Sequence, residues 1–146
     1  MPQEFVMRGK TASGLVETLN FSGYKPGYAY RLTEFQLYPS SSIVANPVEL
    51  MGTVTAGKTA VSQADPDFNN EGLIGTAYFG VSSSSLYPAS AESVINDTFL
   101  ITQNLKLMVK DTDGDDAINW QCRFVAEKMN KAEEAVTNYK QFTIFD

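Results

Sequence analysis

Residues 105–128 read LKLMVKDTDGDDAINWQCRFVAEK, and their pattern decides the fold class. Leu105, Leu107 and Val109 alternate with Lys106, Met108 and Lys110, and Trp120, Cys122, Phe124 and Ala126 alternate with Gln121, Arg123 and Glu127. A period of two puts successive side chains on opposite faces of an extended chain, so each run reads as a strand with one apolar and one polar face. The link between them, DTDGDDA from Asp111 to Ala117, is polar and holds Gly114, a residue that accepts the positive φ of a tight reversal. The two runs are therefore expected to pair as a hairpin.

Outward from this stretch, similar signals recur at short intervals. Phe5 to Lys10, Leu15 to Phe21, Tyr28 to Tyr38, Val48 to Thr55, Leu73 to Val81, Phe99 to Lys110, Ile118 to Met129 and Thr137 to Phe145 are rich in β-branched and aromatic residues. SGYKPG at 22–27, YPSSS at 38–42, ADPDFNNEG at 64–72 and the serine tract VSSSSLYPAS at 81–90 punctuate them as loops. No strand–helix–strand alternation appears, so about eight strands in one antiparallel β-sandwich, of jelly-roll or other Greek-key order, is the expected all-β architecture. Between Leu32 and Phe35 the apolar positions change face, which predicts a bulge near Thr33 or a strand covered on both sides. The helical rival is 126–138, AEKMNKAEEAVTN, which predicts at most a short helix near the C-terminus. Residues 1–146 are read as one domain, with 1–10 as its first strand or an extended arm.

Composition narrows the function classes. A chain that is 43% hydrophobic and 19% charged is apolar enough to fold, yet has no run near the ~20 apolar residues that span a bilayer, so a soluble domain without a membrane partner is expected. The start, MPQEFVMRGK, lacks the apolar centre of an export signal, and synthesis in a cytoplasm is the expectation. A net charge of −6 with scattered basic residues argues against nucleic acid, whose binding needs clustered Lys and Arg. The chain has no histidine and one cysteine, Cys122, so Ser-His and Cys-His catalysis, an internal disulfide and a cysteine-based zinc site are all ruled out. Cys122 alternates with Trp120 and Phe124 and reads as a buried structural thiol.

Two motifs need weighing. GTVTAGKT, Gly52 to Thr59, satisfies the phosphate-loop pattern, but that loop works only between a buried parallel strand and a helix. Here Val54 and Thr55 favour a strand running through the motif, and Asp65-Pro66 ends any following helix early. DTDGDD, Asp111 to Asp116, supplies four carboxylates, yet its glycine is fourth and its twelfth position is Cys122, where a calcium loop has glycine sixth and glutamate twelfth. Solvated acids at a turn are the better reading, and no cofactor, metal or catalytic residue is assigned. The acidic pairs Asp65/Asp67 and Glu133/Glu134 read as surface charge.

Aromatic residues point to binding. Tyr24, Tyr28, Tyr30, Phe35 and Tyr38 crowd one stretch, Tyr87 sits in the serine-rich loop, and the C-terminal YKQFTIFD carries more apolar area than a chain end leaves in water. The segments MRGKTASG (7–14), VINDTFLITQNLKLMVKD (94–111), NWQCRFVAEKM (119–129) and AVTNYKQFTIFD (135–146) resemble small structural proteins of tailed phages of marine bacteria, including cyanophages. The resemblance implies a virion component such as a capsid decoration or cement protein, with the major capsid protein and sister copies as partners, and it carries no functional residues across. Phe5, Met7, Tyr139, Phe142, Ile144 and Phe145 are the expected docking residues, with Tyr87 on an exposed rim. The alternative is a carbohydrate-binding or host-attachment module of the virion.

Overall fold

Two antiparallel sheets face each other in the computed structural model, which describes residues 3–21, 27–40, 48–57, 66–81, 90–112, 116–130 and 132. Its elements are β1 (Gln3–Thr11), β2 (Val16–Leu19), β3 (Tyr28–Pro39), β4 (Val48–Ala56), β5 (Leu73–Val81), β6 (Ser90–Ile95), β7 (Leu105–Asp111) and β8 (Ile118–Lys128). One sheet has the order β1-β8-β3 and the other β2-β7-β4-β5-β6. The all-β sandwich is thus as expected.

The expected hairpin is not. β7 lies between β2 and β4 in the larger sheet, and β8 lies between β1 and β3 in the smaller one. The apolar faces are those the alternation predicts: Leu105, Leu107 and Val109 are fully buried, as are Ile118, Cys122 and Phe124. Alternation states which face a strand buries and is silent on its neighbour, so two amphipathic strands satisfy it equally side by side or face to face. The polar link at 112–117 is longer than a tight turn needs and suits a crossing of the ~10 Å between packed sheets. Gly114 lies outside the described residues.

The core fills the space between the sheets with Leu32, Phe35 and Leu37 of β3, Trp120, Cys122 and Phe124 of β8, and Leu50, Val54, Phe79 and Leu107 from the opposing sheet. Register shifts between Leu32 and Glu34 opposite β8, so the expected bulge at Thr33 is real and lets both Leu32 and Phe35 point inward. Two glycines bring the sheets close. A Cβ on Gly52 would lie 3.1 Å from the Phe35 ring, and one on Gly75 would lie 3.0 Å from Leu32. A third, Gly9 of β1, lies over the Trp120 ring of its cross-strand partner, 2.9 Å from where its Cβ would be.

Several expectations shift in detail. The run from Phe99 to Lys110 is interrupted: Ile101 bridges Tyr30, and β7 begins only at Leu105. Residues 90–95, SAESVI, form the unforeseen edge strand β6, almost wholly exposed. Ala126 to Lys128, shared by the expected strand Ile118 to Met129 and its helical rival, end β8 as strand, and most of the remaining stretch lies outside the described residues. The strand expected at 137–145 and the serine tract 82–89 also lie outside them. The first strand is integral to the smaller sheet, with Gln3 to Thr11 paired residue by residue to β8.

Candidate interaction surface

The docking residues expected from sequence divide in two. Tyr87, Tyr139, Phe142, Ile144 and Phe145 lie outside the described residues. Phe5 and Met7 are half-buried and packed against the core. Phe5 stacks on Phe124 at 5.4 Å between ring centroids and meets Tyr30 at 5.5 Å and Phe21 at 6.3 Å. These contacts hold β1 to the sandwich. They leave its other face, Glu4, Val6, Arg8 and Lys10, turned outward and exposed.

That outward face belongs to a flat polar surface built by the smaller sheet. Register aligns Lys10, Asn119 and Tyr38 in one cross-strand row, Arg8, Gln121 and Gln36 in the next, and Val6, Arg123 and Glu34 in a third. Beyond them Arg31 makes two hydrogen bonds to Glu127, at 3.0 and 2.9 Å, and donates a third to the Asp97 carbonyl. The bond from Arg31 holds the Glu127 carboxyl below its ordinary range, and the same bond raises the guanidinium further above neutrality. Arg123 is neutralised by Glu34 at 3.3 Å and Glu4 at 3.7 Å. Arg8 and Lys10 have no such acid among the described residues.

Tyr38 ends this surface. Its side chain is 64% exposed, and its ring leans on Phe79 of the opposing sheet at 5.8 Å between centroids. On the β8 side of Tyr38 the surface dips into adjoining open hollows of about 230 and 550 Å³ that reach Arg8, Lys10 and Asn119. On its other side a hollow of about 250 Å³ separates the outer edge of β3 from β6. A further open hollow of about 280 Å³ at the far end of β5 and β6 is rimmed by the exposed side chains of Phe68 and Val94.

Among the described residues, the motifs singled out in the sequence form no site. Gly52 to Ala56 of the phosphate-loop pattern lie in β4, bonded to β5 on one side and β7 on the other, so their amides serve the sheet. Thr53 and Thr55 are buried as well, which makes this a strand covered on both faces. Lys58 and Thr59 lie outside the described residues. Asp111 is a buried strand residue whose backbone N–H donates to the Ser13 hydroxyl oxygen, while Asp116 is exposed; among the described residues no three His, Cys, Asp or Glu side chains gather as metal ligands. Cys122 is fully buried, and burial pushes its thiol far up, away from any nucleophilic thiolate. Arg8, Gln36, Asn119 and Gln121 carry no site signal in the sequence, because each sits at an ordinary polar position of its own strand. Only strand order brings them together.

No protein-family model matches the chain, and no curated protein matches it. Among solved structures, it is similar to a chain of Desmodium yellow mottle tymovirus, with 10% identity and a TM-score of 0.35 over 88% of this chain and 89% of that one. A likeness this distant carries no argument about function.

Proposed function

We propose that this chain is a non-enzymatic structural protein of a phage virion, docked on the capsid surface as a decoration or cement subunit. Its partners are the major capsid protein and sister copies, which it joins after synthesis in the host cytoplasm. The observation that carries this reading is the strand order. The orders β2-β7-β4-β5 and β1-β8-β3 support a jelly-roll reading, with β6 bonded beyond β5 instead of beside β3. Jelly rolls serve viral capsid and lectin domains, and because fold alone does not assign function, the resemblance of the four sequence segments supplies the choice between them. Docking is assigned to Tyr139, Phe142, Ile144 and Phe145, with Tyr87 at the rim. Phe5 and Met7 contribute by fixing β1 on the core, so that its free edge, and not its outer face, meets the shell.

Mass spectrometry of purified particles with a copy-number estimate tests the reading, because a decoration subunit is present in hundreds of copies and an attachment device in a few. Deleting residues 142–146 should abolish incorporation while Tyr87→Ser leaves it intact. Full occupancy by the truncated chain would remove the C-terminal residues from the docking surface.

A further inference from the structure

We propose that the outer face of the smaller sheet around Tyr38 binds an acidic saccharide, with Arg8 and Lys10 holding its anionic group and the Tyr38 ring lying against a sugar ring. This activity is additional to the assembly role and is tested apart from it.

The partition of charge is the first argument. Of the four cations on this face, Arg31 and Arg123 are held by Glu127, Glu34 and Glu4, whereas Arg8 and Lys10 have no acid partner among the described residues. They stand two residues apart on the same face of β1, about 7 Å from one another, where like charges repel and an anion set between them relieves both. Lys106, Lys110 and Lys128 likewise have no acid partner among the described residues, but of these cations only Arg8 and Lys10 border the hollows beside Tyr38. Two cations are too few to track a nucleic-acid backbone, and they suit one carboxylate or sulfate.

The neighbours of the pair argue for a sugar. Gln121 and Gln36 extend the Arg8 row, and neither amide side chain hydrogen-bonds to a described residue; Asn119 extends the Lys10 row with one long bond of 3.4 Å to the Pro39 carbonyl. A primary amide offers donors and an acceptor in one plane, which matches adjacent hydroxyl groups. Tyr38 closes the Lys10 row with an exposed ring, steadied by Phe79, that supplies the apolar face a pyranose needs. Three strands make a patch about 10 Å wide, and two rows make it about 7 Å deep, the footprint of one or two sugar rings.

Titration calorimetry of the intact chain with an oligogalacturonate and, separately, with a sulfated heparin-type oligosaccharide tests this and distinguishes the two anionic groups. Saturable binding of at least one is expected, absent for a neutral xylo-oligosaccharide, weakened at least about tenfold by Tyr38→Ser and lost in Arg8→Gln/Lys10→Gln. Raising salt should weaken it, since the pair is exposed. Circular dichroism checks that the variants fold, and Lys10→Glu, a charge reversal at an exposed position, gives a second reading of the same contact. The proposal is overturned if neither acidic saccharide binds at about 10 mM, if binding survives both variants, or if the neutral sugar binds as well. Binding of poly-glutamate in place of either saccharide, unchanged by Tyr38→Ser, would instead make the patch a docking point for an acidic protein. None of these outcomes depends on particle incorporation.

Discussion

Replacing Gly52 with alanine tests the placement of one sheet over the other. The new methyl would lie 3.1 Å from Cζ of Phe35, 3.2 Å from Val109 Cγ1 and 3.3 Å from the Met108 carbonyl oxygen. Alanine would otherwise favour an ordered strand over glycine by ~0.5–1 kcal/mol. Against this stands overpacking of a filled core at ~1–3 kcal/mol, and here the Met108 backbone is tied into the sheet and yields little. The expected net loss is ~1–2 kcal/mol, a fall in Tm of roughly 3 °C per kcal/mol for a chain of this size.

The partner substitution is Phe35→Leu, which removes the ring atom nearest the new methyl. Alone it should cost ~1–2 kcal/mol, less than the ~3–5 kcal/mol of truncating a buried Phe to Ala. Together the two changes should cost less than their sum by ~1 kcal/mol, because the methyl enters space the ring has left. Urea denaturation of the four proteins reads this coupling directly. Additivity within about 0.3 kcal/mol would mean that β3 does not cross β4 at Gly52, and the inter-sheet register given above would be wrong. The same protein addresses the phosphate-loop reading, since a strand glycine predicts that ATP leaves the wild-type Tm unchanged. A ligand binding the folded state raises it.

Two further outcomes follow from single contacts. Thr11→Val removes the acceptor of the buried Trp120 Nε1–H bond, 2.9 Å long, and should destabilise the chain by ~1–3 kcal/mol; Trp120 is the sole tryptophan, so its fluorescence in a denaturant titration reports the loss without ambiguity. Glu127 has its folded pKa lowered by Arg31, so its contribution is present above the unfolded value of about 4.3 and fades as pH falls through the lower folded value. Both side chains are about one-third exposed, so solvent screening holds the pair below about 1 kcal/mol. Glu127→Gln should therefore be slightly less stable than wild type at pH 7 and indistinguishable from it in strong acid, by thermal melts across pH.

What the sequence disclosed was facial and local. The alternation in 105–110 and 120–126 identified buried side chains correctly, and the change of parity between Leu32 and Phe35 located the bulge at Thr33. The partner of each strand was beyond reach, because pairing between β8 and its neighbours joins residues about a hundred positions apart that no local pattern links. β6 escaped notice since SAESVI is an exposed edge strand, with no buried face to impose a period. The surface around Tyr38 was legible only in part: Tyr38 stands out among the crowded aromatics of its stretch, but Lys10 and Asn119 are unremarkable singly, and the alignment of the three exists only once β8 is inserted between β1 and β3.

That alignment rests on a lock beneath it. In a two-sided strand a slip of one residue exchanges the faces, so the outward position of Arg8 and Lys10 depends on whatever fixes the register of β1 against β8. The fixing contacts lie on the inward side. Trp120 is paired with Gly9 and lays its ring where any Cβ on that residue would stand, and its Nε1–H then reaches the Thr11 hydroxyl two residues along. A slip in either direction would set a side chain of Arg8 or Lys10 against the indole and leave its N–H without an acceptor in a buried place, a cost of ~1–3 kcal/mol before any lost packing. The glycine, the tryptophan and the threonine thus place the two cations beside Gln121 and Asn119 from beneath the sheet, without themselves lying on its outer face.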